Sequence, residues 1–364
     1  MQSATSSLPV EKTEHGVVVL DYADLESHAD LSASIEEAFG YHGIGLLVVK
    51  NVPQFAEYRE EFMRLAVEFA HLPEEAKKKL ESPESGYSFG WSHGKEILKP
   101  GQFDTFKGSF YANPQYDVPT EDPEMIKNFP EVCLPNVWPR EDFPQLEPSF
   151  KRLGRLMVQV GELVAEQCDR HVKTQSPTYG DNVLQDIIKE SRTCKARLLH
   201  YFAVDEDQTP RTRDSWCGWH NDHGALTALC PAAYFTSSEK GEGDYVSVPC
   251  PDGEAGLWVR RRDGEEFKVR MPSNYIAYQI GETAQILSGG VLRATPHAVQ
   301  AIKWPESRGI TRETLAVFMQ PNFDKHMAPP EGVEVKQCAV ERFREGGMTF
   351  GEFSKVTIEM YYKE

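Results

Sequence analysis

The sequence predicts an α+β fold: a barrel or jelly roll of short strands, preceded by a mainly helical region and followed by a helical tail. Three observations carry this expectation. Beyond residue 190 the chain breaks into KARLLHYFAV, WHNDHGALTALC, GLWVRR, KVRMP, YIAYQIG, TAQILSG, TPHAVQAIK and TLAVFMQP. These runs are short, β-rich and punctuated by Gly, Pro or Asp-Gly, as about eight strands of a barrel or jelly roll would be. Before them, Leu146, Phe150, Leu153, Met157, Val160, Val164 and Cys168 recur at steps of three or four, which is the buried stripe of a long core helix. After them, MTFGEFSKVTIEMYYKE returns to helical spacing.

Taken in order, MQSATSSLPVEKTEHG (1–16) has no apolar core and no arginine, so it reads as a flexible tail rather than a targeting peptide. VVVLDYADL (17–25) reads as a strand and a polar turn. Leu31, Ile35, Ala38 and Phe39 share one helical face that ends by Gly43, and IGLLVV (44–49) is a buried strand. Residues 55–70 and, after Pro73, 74–80 are helical, FDTFKGSFYANP (103–114) is a strand, and a Pro- and acid-rich connection covers roughly 114–145. The expected segments are a tail (1–16), a mainly helical region (17–185), the strand-rich domain (186–325) and a helical tail (326–364). No break in composition marks a linker between them.

The 364 residues carry 39 Lys and Arg against 56 Asp and Glu, a formal charge of −17. This dispersed acidity argues against nucleic acid or an anionic membrane surface as the main partner. Seven cysteines without a CxxC pair fit neither a disulfide framework nor a zinc ribbon, and point to a reducing, cytoplasmic compartment. No apolar run reaches the ~18 residues of a membrane span.

The stretch GWHNDHG (218–224) concentrates chemistry. In a strand, side chains two apart share a face, so His220 and Asp222 point together and Trp219, Asn221 and His223 point away. An imidazole and a carboxylate supply two thirds of the two-His-one-carboxylate triad that holds Fe(II) and leaves three coordination positions open. The best-placed third ligand is His297, in the β-rich ATPHAVQAIK; His326 is the rival, in a segment that reads as a loop. Zinc suits the same ligands, and an isolated H-x-D is more often a solvated loop pair. In ITRETLAVFMQP, Arg312 and Thr314 also share a strand face. A guanidinium beside a hydroxyl suits a carboxylate, and a buried arginine needs an anion. The competing reading is a structural salt bridge.

As an ordered set, these residues resemble the isopenicillin N synthase-like members of the Fe(II)/2-oxoglutarate-dependent dioxygenases over roughly 17–322. VVVLDYADL, GIGLLVVKNVP, LPEEAKKKL, SFYANP, the long stretch from GLWVRR to TPHAV, and RETLAVFMQPNFD each resemble a family segment in the family's order. The resemblance implies a double-stranded β-helix, a cupin-like jelly roll. It implies that His220, Asp222 and His297 are the iron ligands and the catalytic centre. Arg312 and Thr314 would hold the distal carboxylate of 2-oxoglutarate, and Tyr201 would assist. The cofactors implied are Fe(II), 2-oxoglutarate as co-substrate and dioxygen, with ascorbate as a reductant. The reaction implied is oxidation, chiefly hydroxylation, of a small organic metabolite, with release of succinate and carbon dioxide.

Several positions depart from the family pattern. Leu199 and Phe202-Ala203 replace Asn and Pro-Pro, Thr314 replaces Ser, and SSEKGEGDYVSVPC (237–250) reads as an insertion. These changes spare the iron ligands and put any named plant activity in doubt. Asp222 disfavours halogenation, since halogenating relatives lack that carboxylate. Two alternatives stay open: a 2-oxoglutarate-independent Fe(II) oxidase of the same family, and a barrel that binds zinc or a small ligand without oxidising it. Lys107, Ser109, Tyr111 and the 237–250 insertion are candidates for the mouth of the site, though each reads first as structural. Neither the substrate nor the oligomeric state is legible.

Overall fold

A computed structural model describes residues 7–95, 97–99, 102–203, 216–237 and 243–363. The core is two sheets packed face to face in a jelly roll. The larger has eleven strands, in the order Glu11–Lys12, Val18–Asp21, Leu46–Lys50, Ile276–Ile280, Leu226–Leu229, Ile310–Met319, Lys195–Tyr201, Lys107–Ala112 and Gly90–His93, with the hairpin of Ala233–Ser237 and Tyr245–Val248 branching from Ile310–Met319. The smaller runs Glu266–Lys268, Gly256–Arg260, His297–Gln300 and Cys217–His220. The sheets share apolar clusters: Val19, Leu46 and Val48 meet Val259 and Val269 at one end, and Tyr201 and Ala316 meet Trp216 and Ile302 at the other.

Alternation divides the larger sheet into two working faces. Along Ile310–Met319, Arg312, Thr314 and Ala316 lie opposite Tyr201, Leu199 and Arg197 and face the smaller sheet. Leu315 and Val317 face the helices instead, with Leu198 and Ala196 opposite them. The helix Leu146–Gln175 crosses that second face with Phe55–Ala70 beside it. It comes so close at Gly161 that an added Cβ would lie 2.5 Å from Met319 Sδ. Both faces are covered, so the strand is buried over nearly its whole length, and its second half, LAVFM, reads as a continuous apolar run.

Several expectations need correction. TAQILSG is not a strand: Glu282–Leu287 is a helix, all six of its residues buried. Its first free N–H groups are taken by the preceding loop, with Glu282 N donating to Asp222 O at 2.8 Å and Thr283 N to Gly224 O at 3.1 Å. The polar turn after the first long strand is a helix, Tyr22–Glu26, capped by Asp21. The 114–145 connection holds two short helices, Pro123–Asn128 and Pro130–Cys133, each begun by a proline where no N–H is needed. The 103–114 strand is interrupted at Asp104, which accepts from Phe106 N and pairs with Lys107 at 2.7 Å. A helix at Val183–Glu190 went unread; the Asp169 carboxylate accepts from its Leu184 and Gln185 amides.

The stretch expected as a free tail is tied down from residue 7: Glu11–Lys12 pairs with Val18–Val19 and closes the sheet edge. The C-terminal helix Phe350–Lys363 is present. No helix among the described residues is long and apolar enough to cross a membrane.

Candidate metal centre and its cavity

Two elements bring three ligands together. Cys217–His220 and His297–Gln300 are neighbouring strands of the smaller sheet, and His220 sits directly opposite His297. Their rings lie 4.2 Å apart between centroids. Asp222 completes the group, with Oδ1 at 3.8 Å from Nε2 of each histidine. One donor atom from each residue falls within 4.8 Å of the others. Metal bonds of about 2.0–2.2 Å set neighbouring ligand atoms about 3 Å apart, so each histidine needs to close on Asp222 by less than an ångström to hold an ion. The donor set of two imidazoles and a carboxylate, all on one side, fits a facially coordinated metal.

His220 and Asp222 come together, but not both from a strand. The strand ends at His220, and Asp222 lies in the loop that follows. That loop leaves the sheet because its carbonyls cap the helix Glu282–Leu287. Gly281 makes the junction possible: a Cβ there would sit 2.1 Å from Gly224 O. The outward set is as expected. Trp219 lies under Arg260, Asn221 donates to Glu282 at 3.1 Å, and His223 stacks on Phe350 and meets Ser354 Oγ at 3.1 Å. Glu282 is in turn paired with Arg342, so the C-terminal segment buttresses the Asp222 loop from behind. His326 is exposed on a two-residue strand and does not line the site.

Burial and mutual charge set the protonation states. Burial holds His297 down at about 4, with His220 adding to the effect, so this ring is neutral at neutral pH. Burial pushes Asp222 up, but His297, His220 and the Thr227 hydroxyl outweigh it and keep the carboxyl below its ordinary value. Burial opposes charge on His220 as well. There the adjacent Cys217 sulfur, 3.7 Å away, and Asp222 prevail and hold it at about 10. Nδ1 of His220 lies 2.8 Å from Gly218 O and donates to it, which turns Nε2 toward the other ligands.

The triad opens on a cavity of about 920 Å³ between the sheets. Tyr201, Arg312 and Thr314 line it too. Arg312 is 6 % exposed, and its Nε and Nη1 have no hydrogen-bond partner. The guanidinium lies beside the adjoining rings of Tyr201, at 4.8 Å, and Trp216, at 5.7 Å, and also meets the Tyr234 hydroxyl. Thr314 borders the cavity and donates its hydroxyl to Cys230 O at 2.9 Å.

Lys107, Ser109 and Tyr111 do not line the cavity. Ser109 accepts from Arg197 and Tyr111 lies beside it, so these residues set Arg197, which does face inward. Of the 237–250 insertion, residues 238–242 lie outside the described residues; among the rest only Cys250 reaches the wall, while Tyr245 packs on His71. Sequence reasoning missed Tyr234, Arg197 and the Glu11–His15 hairpin on the cavity wall, and Trp216 beside Arg312. Strand parity counted from Arg312 would have found two of these, since Tyr234 stands opposite Arg312 and Arg197 opposite Ala316.

The family described as non-haem dioxygenase in morphine synthesis, N-terminal, matches residues 17–141. Jasmonate-induced oxygenase 4 of Arabidopsis thaliana is 27 % identical over 267 residues, 72 % of this chain and 61 % of that protein. A 2-oxoglutarate-dependent dioxygenase of Didymella fabae is 26 % identical over 204 residues, 53 % of this chain and 58 % of its own. The chain thus spans about three fifths of the length of these two relatives. In fold, it superposes on a 2OG-Fe(II) oxygenase family protein from Caulobacter crescentus with a TM-score of 0.67 at 20 % identity, covering 95 % of this chain and 99 % of that one. A full-length Neurospora crassa protein, solved in complex with alpha-KG, gives 0.66 at 18 % identity, covering 95 % and 98 %. The ordered motifs, the jelly roll and the His-Asp-His group agree with this similarity to Fe(II)/2-oxoglutarate-dependent dioxygenases.

Proposed function

We propose that the protein is a non-haem Fe(II)- and 2-oxoglutarate-dependent dioxygenase that oxidises, chiefly by hydroxylation, a small organic molecule. The observation that carries this reading is a buried arginine with two unpartnered N–H positions in the same cavity as a three-ligand metal group. A buried guanidinium is costly without an anion. The distal carboxylate of 2-oxoglutarate is such an anion, and the metal is the natural anchor for its other end.

When bound, Fe(II) with 2-oxoglutarate and dioxygen supplies the oxidation, with succinate and carbon dioxide released and ascorbate serving as a reductant. The chain's own residues do the rest. His220, Asp222 and His297 hold the metal from one side and leave the other to ligands. Arg312 carries unpartnered N–H donors at Nε and Nη1, and a charge-assisted hydrogen bond from either would fix the direction of the carboxylate. The adjoining rings of Tyr201 and Trp216 pack against the guanidinium from one side. Thr314 borders the same pocket beside them. The 920 Å³ cavity exceeds what 2-oxoglutarate fills, which leaves room for a substrate of metabolite size. In this reading residues 186–325 form the catalytic domain, supported by 17–185 and by the 326–364 tail. A reducing cytoplasmic compartment accords with seven free cysteines.

The test is Fe(II)-dependent turnover against a panel of small metabolites, followed by succinate and carbon dioxide release. Stoichiometric succinate and oxidised product are expected. Oxidation that proceeds at full rate without 2-oxoglutarate would contradict the co-substrate assignment.

A further inference from the structure

We propose that Gln279 is a positioning residue of the metal centre: its side-chain carbonyl accepts the Nδ1–H of His297 and so keeps Nε2 of that ring free to bind metal. The inference rests on reading His220, Asp222 and His297 as metal ligands.

An imidazole that ligates through one nitrogen carries its proton on the other, and that proton needs an acceptor. His220 has one in the Gly218 carbonyl. His297 points its Nδ1 at Gln279, whose terminal nitrogen lies 2.6 Å away. Gln279 is fully buried in Ile276–Ile280, its nitrogen also reaches Thr295 O at 3.3 Å, and its Oε1 has no partner. A buried amide oxygen without a donor is costly. A half-turn of the amide gives up the long Nε2 contact to Thr295 O and gives Oε1 a donor: Oε1 then meets Nδ1–H, and the proton leaves Nε2 of the ring. With the amide nitrogen toward the ring, the proton sits on Nε2 and the ring cannot ligate.

The position of Gln279 reinforces the assignment. It stands directly opposite Thr227 in the larger sheet, and the Thr227 hydroxyl donates to Asp222. One rung of that sheet therefore reaches across to two ligands that the sheet itself does not carry. The rival acceptor for His297 is the Thr295 carbonyl, which also lies beside the ring. If it suffices, Gln279 is only core.

Titration of the full chain with Co(II), followed by visible absorption, separates the two. Gln279→Leu removes the acceptor and is expected to weaken Co(II) binding about ten- to a hundredfold. Gln279→Glu, nearly the same size and able only to accept, is expected to bind Co(II) as tightly as the wild type or more so. A purely structural role would make both variants alike. The proposal is overturned if Gln279→Leu binds within twofold of wild type, or if Gln279→Glu is as weak as Gln279→Leu while keeping the wild-type melting temperature. In the Zn(II)-loaded wild-type protein, nitrogen NMR should find the His297 proton on Nδ1, and a proton on Nε2 would also overturn it. A wild-type chain that takes up no Co(II) overturns the metal reading and this inference with it. Tight wild-type binding that ignores Gln279→Leu overturns this inference alone.

Discussion

Arg312 and Glu313 are neighbours on one strand, nearly equally buried, and treated in opposite ways. Glu313 points to the helical face, where His200 Nδ1–H donates to its carboxylate at 2.9 Å and both residues are fully buried. Arg312 points to the cavity and leaves Nε and Nη1 unpartnered. One face of the strand pairs its carboxylate with His200 Nδ1–H, though His200 Nε2 has no partner, and the other holds a charge open. The difference teaches that burial by itself does not mark a binding residue. What marks it is a buried charge without a countercharge inside the protein, set in the wall of a cavity.

The contrast can be broken from either side. Glu313→Ala leaves His200 without its partner inside the helical layer and is expected to destabilise the fold by about 3 kcal/mol. Chemical denaturation measures it, and a loss below about 1 kcal/mol would mean that this pair is no more closed than Arg312. Arg312→Leu should do the reverse. Stability should hold or rise, because an uncompensated buried charge is removed, while 2-oxoglutarate affinity falls by about 2–5 kcal/mol, the usual cost of truncating a buried charged contact. Calorimetric titration of the metal-loaded protein reads the affinity, and a marked loss of stability with unchanged binding would make Arg312 structural.

A third variant probes the loop that carries Asp222. Gly281→Ala forces a Cβ against Gly224 O and is expected to cost about 1–3 kcal/mol of stability. Metal affinity should fall with it, because the loop moves with its helix. An undisturbed metal titration would show that the Asp222 loop is independent of that junction.

The smallest effect belongs to a charge that is paired but exposed. Burial raises the Asp117 carboxyl, but hydrogen bonds from Lys151, Trp138 and Asn136 prevail and bring it down to about 2. Its folded value is below its unfolded one, so the stability it adds is present above pH 4 and is lost as the pH falls through 2. With the side chain 42 % exposed, solvent screening limits this to about 1 kcal/mol at most. Asp117→Asn should lower stability by that amount at pH 7 and by nothing near pH 2. An equal loss at both pH values would assign the effect to packing.

Much of this was legible because period-two alternation survives in the sequence. His220 and Asp222, and Arg312 and Thr314, are each two apart, and the first pair meets His297 as the motif order implies. What stayed hidden depends on contacts far apart in the chain. TAQILSG looks like any apolar strand until the carbonyls of the Asp222 loop cap it into a helix. Gln279 is one polar residue in the apolar run YIAYQIG, and its purpose appears only when register sets it beside His297. The Glu11–His15 hairpin lies within an N-terminal stretch with the composition of a free tail, and only its pairing with Val18–Val19 brings it to the cavity. Local pattern gave the faces; tertiary hydrogen bonding decided the rest.

The central claim is that the metal group and Arg312 bind the two ends of one 2-oxoglutarate. It is tested most directly by adding Fe(II) and 2-oxoglutarate to the protein without oxygen and recording the visible spectrum. A metal-to-ligand charge-transfer band is predicted for the wild type, and a weaker one for Arg312→Leu at limiting 2-oxoglutarate. A silent wild-type spectrum, or a band indifferent to Arg312, would contradict the account.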